Sequence, residues 1–331
     1  SILTDPWLDG PAFLGSWIQH PKPKVKPKDL SPDIIWISHE HSDHFHNNSI
    51  VQFNKDIPIY FPDFPNKRIE NKLKEIGFHN INPIAFGVEH TINSRVKITC
   101  YEPESVWNDS IVHINIDGFN ILNINDAGVN HRIRKCLPPI DLLCSSFSPG
   151  ASGYPLCWNL SEKEKSDYYE TAKRGMIEML KHGMKIYQSK FLLPFASHFR
   201  LQTPQHEKYD REIGKNRLDD IKEQLSDLNV VDLMPGESWN SRSRERIYRQ
   251  KSDLFNLKEF NKFHPDILRV YTKDEIEDYI LNLNKCPDII HCEEIQVDLN
   301  EILFYIERGE IKLGQIKPVD LSMRVPKNVL F

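Results

Sequence analysis

Three histidines and an aspartate fall within the six residues His39-Glu40-His41-Ser42-Asp43-His44, directly after the apolar run Asp33-Ile34-Ile35-Trp36-Ile37. A short β-rich run bounded by Pro32 reads as a strand, so the histidines sit on the loop that leaves it. This placement limits what the chain can fold into more than any other feature. Four neutral or anionic donors on one short loop suit a borderline divalent cation, and its coordination is completed only if other strand ends deliver ligands to the same place. The competing reading, a polar surface loop with chance histidines, fits poorly with so dense a group when the whole chain of 331 residues holds 14.

The chain around that loop is organised as strands with a few helices. Ile2-Leu3 runs into a polar turn at Thr4-Asp5-Pro6-Trp7. Ile57-Pro58-Ile59-Tyr60-Phe61 reads as a strand, and residues 66–78 as a helix carrying Ile69, Leu73 and Ile76 and stopped by Gly77. Strands follow at 81–86, 96–101, 111–116 and 119–124. Asp117-Gly118 between the last two predicts a tight hairpin, because both turn positions tolerate positive φ. A strand at 142–147 leads into the loop Ser148-Pro149-Gly150-Ala151-Ser152-Gly153. Ser161 and Glu164 then form a capping box for a helix running to about Tyr187, followed by a strand at 191–195. Residues 218–228 read as a helix and 230–234 as strand-like. Beyond 240 the pattern is mixed, with helices expected near 273–283 and 298–308. The Pro-Lys alternation from Pro21 to Lys28 predicts an extended loop.

Composition narrows the class. Hydrophobic residues make up 39% and charged residues 27%, enough apolar content for a substantial core. No apolar run approaches the roughly 18 residues of a membrane span, so no membrane partner is expected. A net charge of −5 gives no basic field, so nucleic acid is not an expected partner either. Cys100, Cys136, Cys144, Cys157, Cys286 and Cys292 form no Cys-x-x-Cys pair and read as reduced thiols of a cytoplasmic protein.

A pair of metal ions needs donors beyond the histidine loop. Asp126 ends the strand at 119–124, where its carboxylate can bridge two ions. His198 follows the strand at 191–195, with His206 as its rival. The alternatives are a solvated turn aspartate and a structural histidine.

The His-x-His-x-Asp-His run, then Asp126, then His198 resemble the metal-ligand series of the metallo-β-lactamase superfamily. More narrowly, Leu3-Thr4-Asp5-Pro6-Trp7-Leu8, Gly10-Pro11-Ala12-Phe13, Ile37-Ser38-His39, Gly150-Ala151-Ser152-Gly153-Tyr154-Pro155 and Pro194-Phe195-Ala196 are similar to segments of CMP-N-acetylneuraminate hydroxylases. The resemblance covers about residues 1–240. It implies an α/β fold, a metallo-β-lactamase-type αββα sandwich, for a catalytic domain at 1–240, and the remaining 241–331 are expected to form an α-rich extension. Two departures accompany it. The Cys-x-His and Cys-x-x-His pairs of the hydroxylases' N-terminal Rieske domain do not occur in this sequence, so an oxidation would draw on a separate electron-donor protein. The strands that usually precede the Leu-Thr-Asp-Pro segment are also missing, and Ser1 is expected to lie inside a longer native polypeptide. Where most of the superfamily places a histidine after the strand equivalent to 96–101, this chain offers Glu102, with Glu104 next. A carboxylate there shifts preference from zinc toward iron or manganese.

The resemblance implies His39, His41 and Glu102 on one ion and Asp43, His44 and His198 on a second, with Asp126 between them. Asp43 and His198 also take catalytic roles, Asp43 by orienting a hydroxide. Two readings stand side by side: a dinuclear hydrolase loaded with zinc or iron, acting on a small anionic or nucleotide-sugar-like substrate, and an iron-dependent oxygenase. A non-catalytic binding protein is the third, against which the intact ligand run argues. Trp7, Ser152, Tyr154 and Trp158 are candidate substrate contacts, because hydroxyl and aromatic groups there could hydrogen-bond and stack on a ring; packing residues would look the same. The lysines at 22, 24, 26 and 28 could steer an anion, or simply be solvated.

Overall fold

The computed structural model describes residues 1–13, 17–20, 23, 25–105, 108–150, 160–201, 216, 218–233, 236–247, 303–307 and 310–314. Among these, the strands are β1 (Ile2–Thr4), β2 (Trp17–Gln19), β3 (Ile34–Trp36), β4 (Ile59–Pro62), β5 (Ile81–Ile84), β6 (Glu89–Asn93), β7 (Val96–Tyr101), β8 (Ile111–Ile116), β9 (Phe119–Asn125), β10 (Leu142–Ser146), β11 (Phe191–Phe195), β12 (Phe199–Leu201), β13 (Ser238–Trp239), β14 (Arg246–Ile247), β15 (Leu303–Glu307) and β16 (Glu310–Gly314). The helices are α1 (Asn47–Ile50), α2 (Arg68–Ile76), α3 (Glu162–Tyr187) and α4 (Leu218–Gln224).

Two sheets carry the architecture, one ordered β1-β3-β4-β5 and the other β11-β10-β9-β8-β7-β6. Side-chain alternation along the strands gives each sheet two apolar faces. Ile35 on β3 and Ile37 just after it pack with Ile50 of α1 and with Ile69 and Leu73 of α2. Ile34 and Trp36 point the other way, onto Ile98, Val112 and Ile114 of the second sheet. The far face of that sheet, with Leu122, Ile124, Leu143 and Leu192, is covered by Ile177, Leu180, Met184 and Tyr187 of α3 and by Leu218 and Ile221 of α4. The result is a helix-sheet-sheet-helix sandwich. Gly183 lets α3 settle on β10, since a Cβ there would stand 3.1 Å from Leu143 Cδ2.

Local signals explain the element ends. Asp117 (φ 50) and Gly118 (φ 87) make the β8–β9 hairpin turn. The Ser161–Glu164 capping box starts α3 with both reciprocal bonds present. Gly77, in the left-handed region, closes α2.

Three expectations change. Residues 303–307, expected within a helix, form a strand paired antiparallel with β16 from Leu303↔Gly314 to Glu307↔Glu310. Leu303-Phe304-Tyr305-Ile306 is an apolar run without helical spacing, and its aromatic and β-branched members favour a strand. Within the Pro-Lys segment, Pro27–Asp29 form a short 3-10 turn, because proline is tolerated in a first helical turn. The strand expected at 230–234 appears only as a single parallel bridge from Val230 to Leu192 among its described residues. The helix expected at 273–283 lies outside the described residues. No helix of the described residues is long and apolar enough to cross a membrane, and Cys100, Cys136 and Cys144 are free thiols.

Candidate metal centre

Strand direction brings the chemistry to one edge. β1, β3, β4 and β5 run parallel, so Asp5 leaves β1 beside the residues that leave β3. The Thr4↔Trp36 pairing is followed by a bond from Asp5 N to Trp36 O at 2.9 Å. In the second sheet, β9, β10 and β11 run parallel, so Asp126 and His198 leave on a common side. β8 runs antiparallel to β9, with Val112 opposite Asn123, so Asp109 lies before β8 at the end where Asp126 leaves β9.

The histidine loop then folds onto itself. The amides of His44 and Phe45 donate to His41 O at 3.0 and 2.7 Å. This turn brings the His39 and His44 rings to 4.2 Å between centroids, and the His39 and His41 rings to 4.5 Å. Glu40 faces away and anchors the loop to the second helix region, accepting from Arg68 Nη1 at 2.6 Å and Asn66 Nδ2 at 3.0 Å. Ser42 Oγ accepts from Phe13 N at 2.8 Å.

Each of the two buried imidazoles has a carboxylate behind its Nδ1. His44 Nδ1 lies 3.1 Å from Asp5 Oδ2, and His39 Nδ1 lies 3.1 Å from Asp109 Oδ1. In the neutral ring, with its proton on Nδ1, each Nε2 carries a lone pair. His44 Nε2 is 3.3 Å from Asp43 Oδ2 and 3.6 Å from Asp126 Oδ2. His39 Nε2 is 2.9 Å from His41 Nδ1. His39, His44 and Asp126 each offer a donor atom, all within 4.8 Å of one another. Asp43 Oδ1 is buried without a hydrogen-bond partner, a costly state for a carboxylate oxygen unless a cation or solvent molecule meets it. Carboxylate-backed histidines with such an oxygen fit a divalent metal.

Ser38 ties the two sheets together under the site. Its amide and hydroxyl donate to the two oxygens of Asp5 at 2.7 and 2.8 Å. Its own Oγ accepts from Asn125 Nδ2 at 2.9 Å, and its carbonyl from Ser110 Oγ at 2.7 Å.

The electrostatics follow from this crowding. Burial opposes a charge on His44, and Asp43 and Asp126 outweigh it, so its pKa stands well above the ordinary histidine value. Burial likewise opposes protonation of His39, and Asp109 overcomes it. His41, although its outer edge reaches solvent, is pushed down to about 4 by desolvation on its inner side and by repulsion from His39. Asp126 is held far below the usual carboxylate range, against its desolvation, by His44 and then His39. Desolvation raises the Asp109 carboxyl, with His39 pulling in the opposite direction.

Of the residues singled out from sequence, His39, His41, Asp43, His44 and Asp126 are brought together. His198 stands at the end of β11 with its ring edge-on to Phe147, 5.5 Å between centroids, and is not part of the three-residue donor group. Glu102 is exposed, and its carbonyl takes the Asn130 amide at 2.6 Å. Glu104 holds His131 instead, at Nδ1 (3.1 Å) and at the backbone amide (2.9 Å). Trp7 donates from Nε1 to Gly10 O at 2.8 Å and packs against the Ala12, Phe13, Trp17, Tyr169 and Phe199 cluster. Ser152, Tyr154, Trp158 and His206 lie outside the described residues. Sequence reasoning did not assign Asp109 or Asp5 a place at the site. Asp5, in its Thr-Asp-Pro turn at a strand end, carried the available signal; Asp109 carried none.

Residues 1–118 match the model of the beta-lactamase superfamily domain. This segment contains the whole histidine loop, Asp5 and Asp109. The sandwich is of the metallo-β-lactamase type, a fold that implies divalent metal binding. The chain is 29% identical over 253 residues to cytidine monophosphate-N-acetylneuraminic acid hydroxylase of Mus musculus, an alignment covering 71% of this chain and 43% of the mouse protein. The hydroxylase of Cricetulus griseus is 31% identical over 226 residues, covering 64% and 39%. The chain therefore spans less than half the length of these two relatives. Among solved structures, isothiocyanate hydrolase from Delia radicum gut bacteria aligns with a TM-score of 0.42 and 16% identity over 63% of this chain and 84% of that one, too distant to bear on chemistry.

Proposed function

We propose that this chain is a metal-dependent hydrolase in which His39 and His41 would serve one ion and Asp43, His44 and His198 a second, with Asp126 available to both. The observation that carries this reading is the convergence of His39, His44 and Asp126 within 4.8 Å beside the unpartnered Asp43 Oδ1. This reading leaves out Glu102, which stands outside the His39, His44 and Asp126 donor group, and Glu104, which holds His131. Divalent ions bound here, zinc, iron or manganese, would polarise a carbonyl or phosphoryl group and lower the pKa of a coordinated water. The protein's own residues do the rest. Asp5 keeps the His44 proton on Nδ1, and Asp43 orients a water and accepts its proton. Asp126, 44% exposed, marks the side from which substrate arrives. A small anionic or nucleotide-sugar-like substrate is in keeping with the cytidine monophosphate-N-acetylneuraminic acid for which the relatives are named. Lys26 is paired with Asp9 at 2.5 Å and so shapes the neighbouring surface more than it steers an anion.

A second reading, an iron-dependent oxygenase fed by an electron-donor protein, is favoured by the alignment with the mouse hydroxylase over 71% of the chain. Metal analysis, visible spectra with and without oxygen, and a panel of ester, lactone and phosphodiester substrates separate the two. Colourless zinc protein with turnover supports hydrolysis. Iron with an oxygen-dependent spectrum and no hydrolytic turnover overturns it.

A further inference from the structure

We infer that Asp109 is a positioning residue that holds the His39 imidazole with its Nε2 turned to the metal-facing side; the inference rests on the metal-centre reading. Three observations carry it. First, both side chains are buried, His39 at 1% and Asp109 at 6% exposure, so a misaligned polar atom on either has little water to compensate it. Second, His39 Nδ1, the ring atom directed away from His41, meets Ser38 Oγ at 3.0 Å and Asp109 Oδ1 at 3.1 Å, so Asp109 supplies the charged member of its two acceptors, while Nε2 faces His41 Nδ1 at 2.9 Å. A carboxylate behind Nδ1 fixes the proton there and leaves the Nε2 lone pair for a cation, as outer partners of ligating histidines generally do. Third, Asp109 is itself fixed to the histidine loop. Its Oδ1 accepts from Ser110 N at 2.6 Å, and Ser110 Oγ donates to Ser38 O at 2.7 Å, one residue before His39. The first strand of the β8–β9 hairpin thus sets the ring orientation of a residue presented by the other sheet.

Glu102, at the end of β7, was the residue expected to supply a carboxylate from this edge. Asp109, at the start of the neighbouring strand, supplies one to the opposite side of the imidazole. The difference is between a ligand and a group that aims a ligand, and it can be measured.

The test uses Asp109→Asn and Asp109→Ala in the full chain, with two readouts. Chelator competition gives zinc stoichiometry and affinity, and nitrogen-15 spectra of histidine-labelled, metal-free protein, recorded at a pH where the ring is neutral, give the His39 tautomer. The expected result for Asp109→Ala is a loss of ~10–100-fold in zinc affinity at unchanged stoichiometry, with the share of the Nδ1–H tautomer of His39 reduced and Ser38 Oγ left as its remaining acceptor. Asp109→Asn, whose side-chain oxygen still accepts from Nδ1, keeps the tautomer and falls between. It also answers the question if the alanine variant does not fold. Wild-type affinity and tautomer in both variants overturn the inference, and so does loss of one whole ion in Asp109→Ala, which would make Asp109 a ligand. Because the tautomer is read without metal, it judges Asp109 even if the wild-type chain binds no zinc, an outcome that would instead overturn the metal-centre reading.

Discussion

Two groups of histidines and carboxylates among the described residues make an instructive pair. At the sheet edge, His39 and His44 are buried, each backed by a carboxylate at 3.1 Å, with Asp43 and Asp126 in front. On the surface, Glu104 backs His131 at the same 3.1 Å, and His131 Nε2 meets His182 Nε2 at 2.7 Å. The local motif is the same in both. The surface group is half open to water, with His131 52% exposed, and its two imidazoles complete one another by sharing a proton. The edge group leaves a buried carboxylate oxygen unmatched. Histidine count therefore does not separate a metal centre from a surface clasp; convergence of oxygens in a desolvated place does.

The comparison can be broken most sharply by deleting a ring from each group. His39→Ala is expected to lose more than about 100-fold in metal affinity, beyond the ~10–100-fold that an outer partner is worth, whereas His182→Ala keeps wild-type affinity in the same titration. Equal losses would erase the distinction. Next in size is Asp5→Ala. It frees the His44 ring and leaves the Ser38 amide and hydroxyl unpaired, so metal affinity should fall by ~10–100-fold and denaturant unfolding should show a loss of about 1–3 kcal/mol. Tyr187→Phe sharpens the contrast from the other side. Its buried hydroxyl accepts from Asn130 N at 2.8 Å and donates to Asn130 O at 3.1 Å, beside His131. Stability should drop by about 1–3 kcal/mol with metal content unchanged. The smallest effect belongs to Glu104→Ala, which removes an exposed pair and should leave both the denaturant midpoint and the metal content at wild-type values.

How far the sequence reached depends on how local the signal was. The α3 capping box, the Asp117-Gly118 turn and the strands at 96–101 and 111–116 are written in a few adjacent residues, and they appear where expected. The six-residue histidine run was legible for the same reason. β6 was missed because Glu89-His90-Thr91-Ile92-Asn93 is an edge strand with little apolar content. Asp109 depends on the register of β8 against β9 and on the approach of a loop from the other sheet, neither of which leaves a mark around Asn108-Asp109-Ser110. The C-terminal hairpin was mistaken for a helix because a continuous apolar run fits either period.

The central claim is that the edge group is a metal centre. The most direct measurement is the metal content of wild-type protein and His44→Ala, purified side by side from metal-replete medium. The account predicts about two divalent ions per wild-type chain and the loss of at least one in the variant. A wild-type chain that carries none, or a variant that carries as many as the wild type, would contradict it.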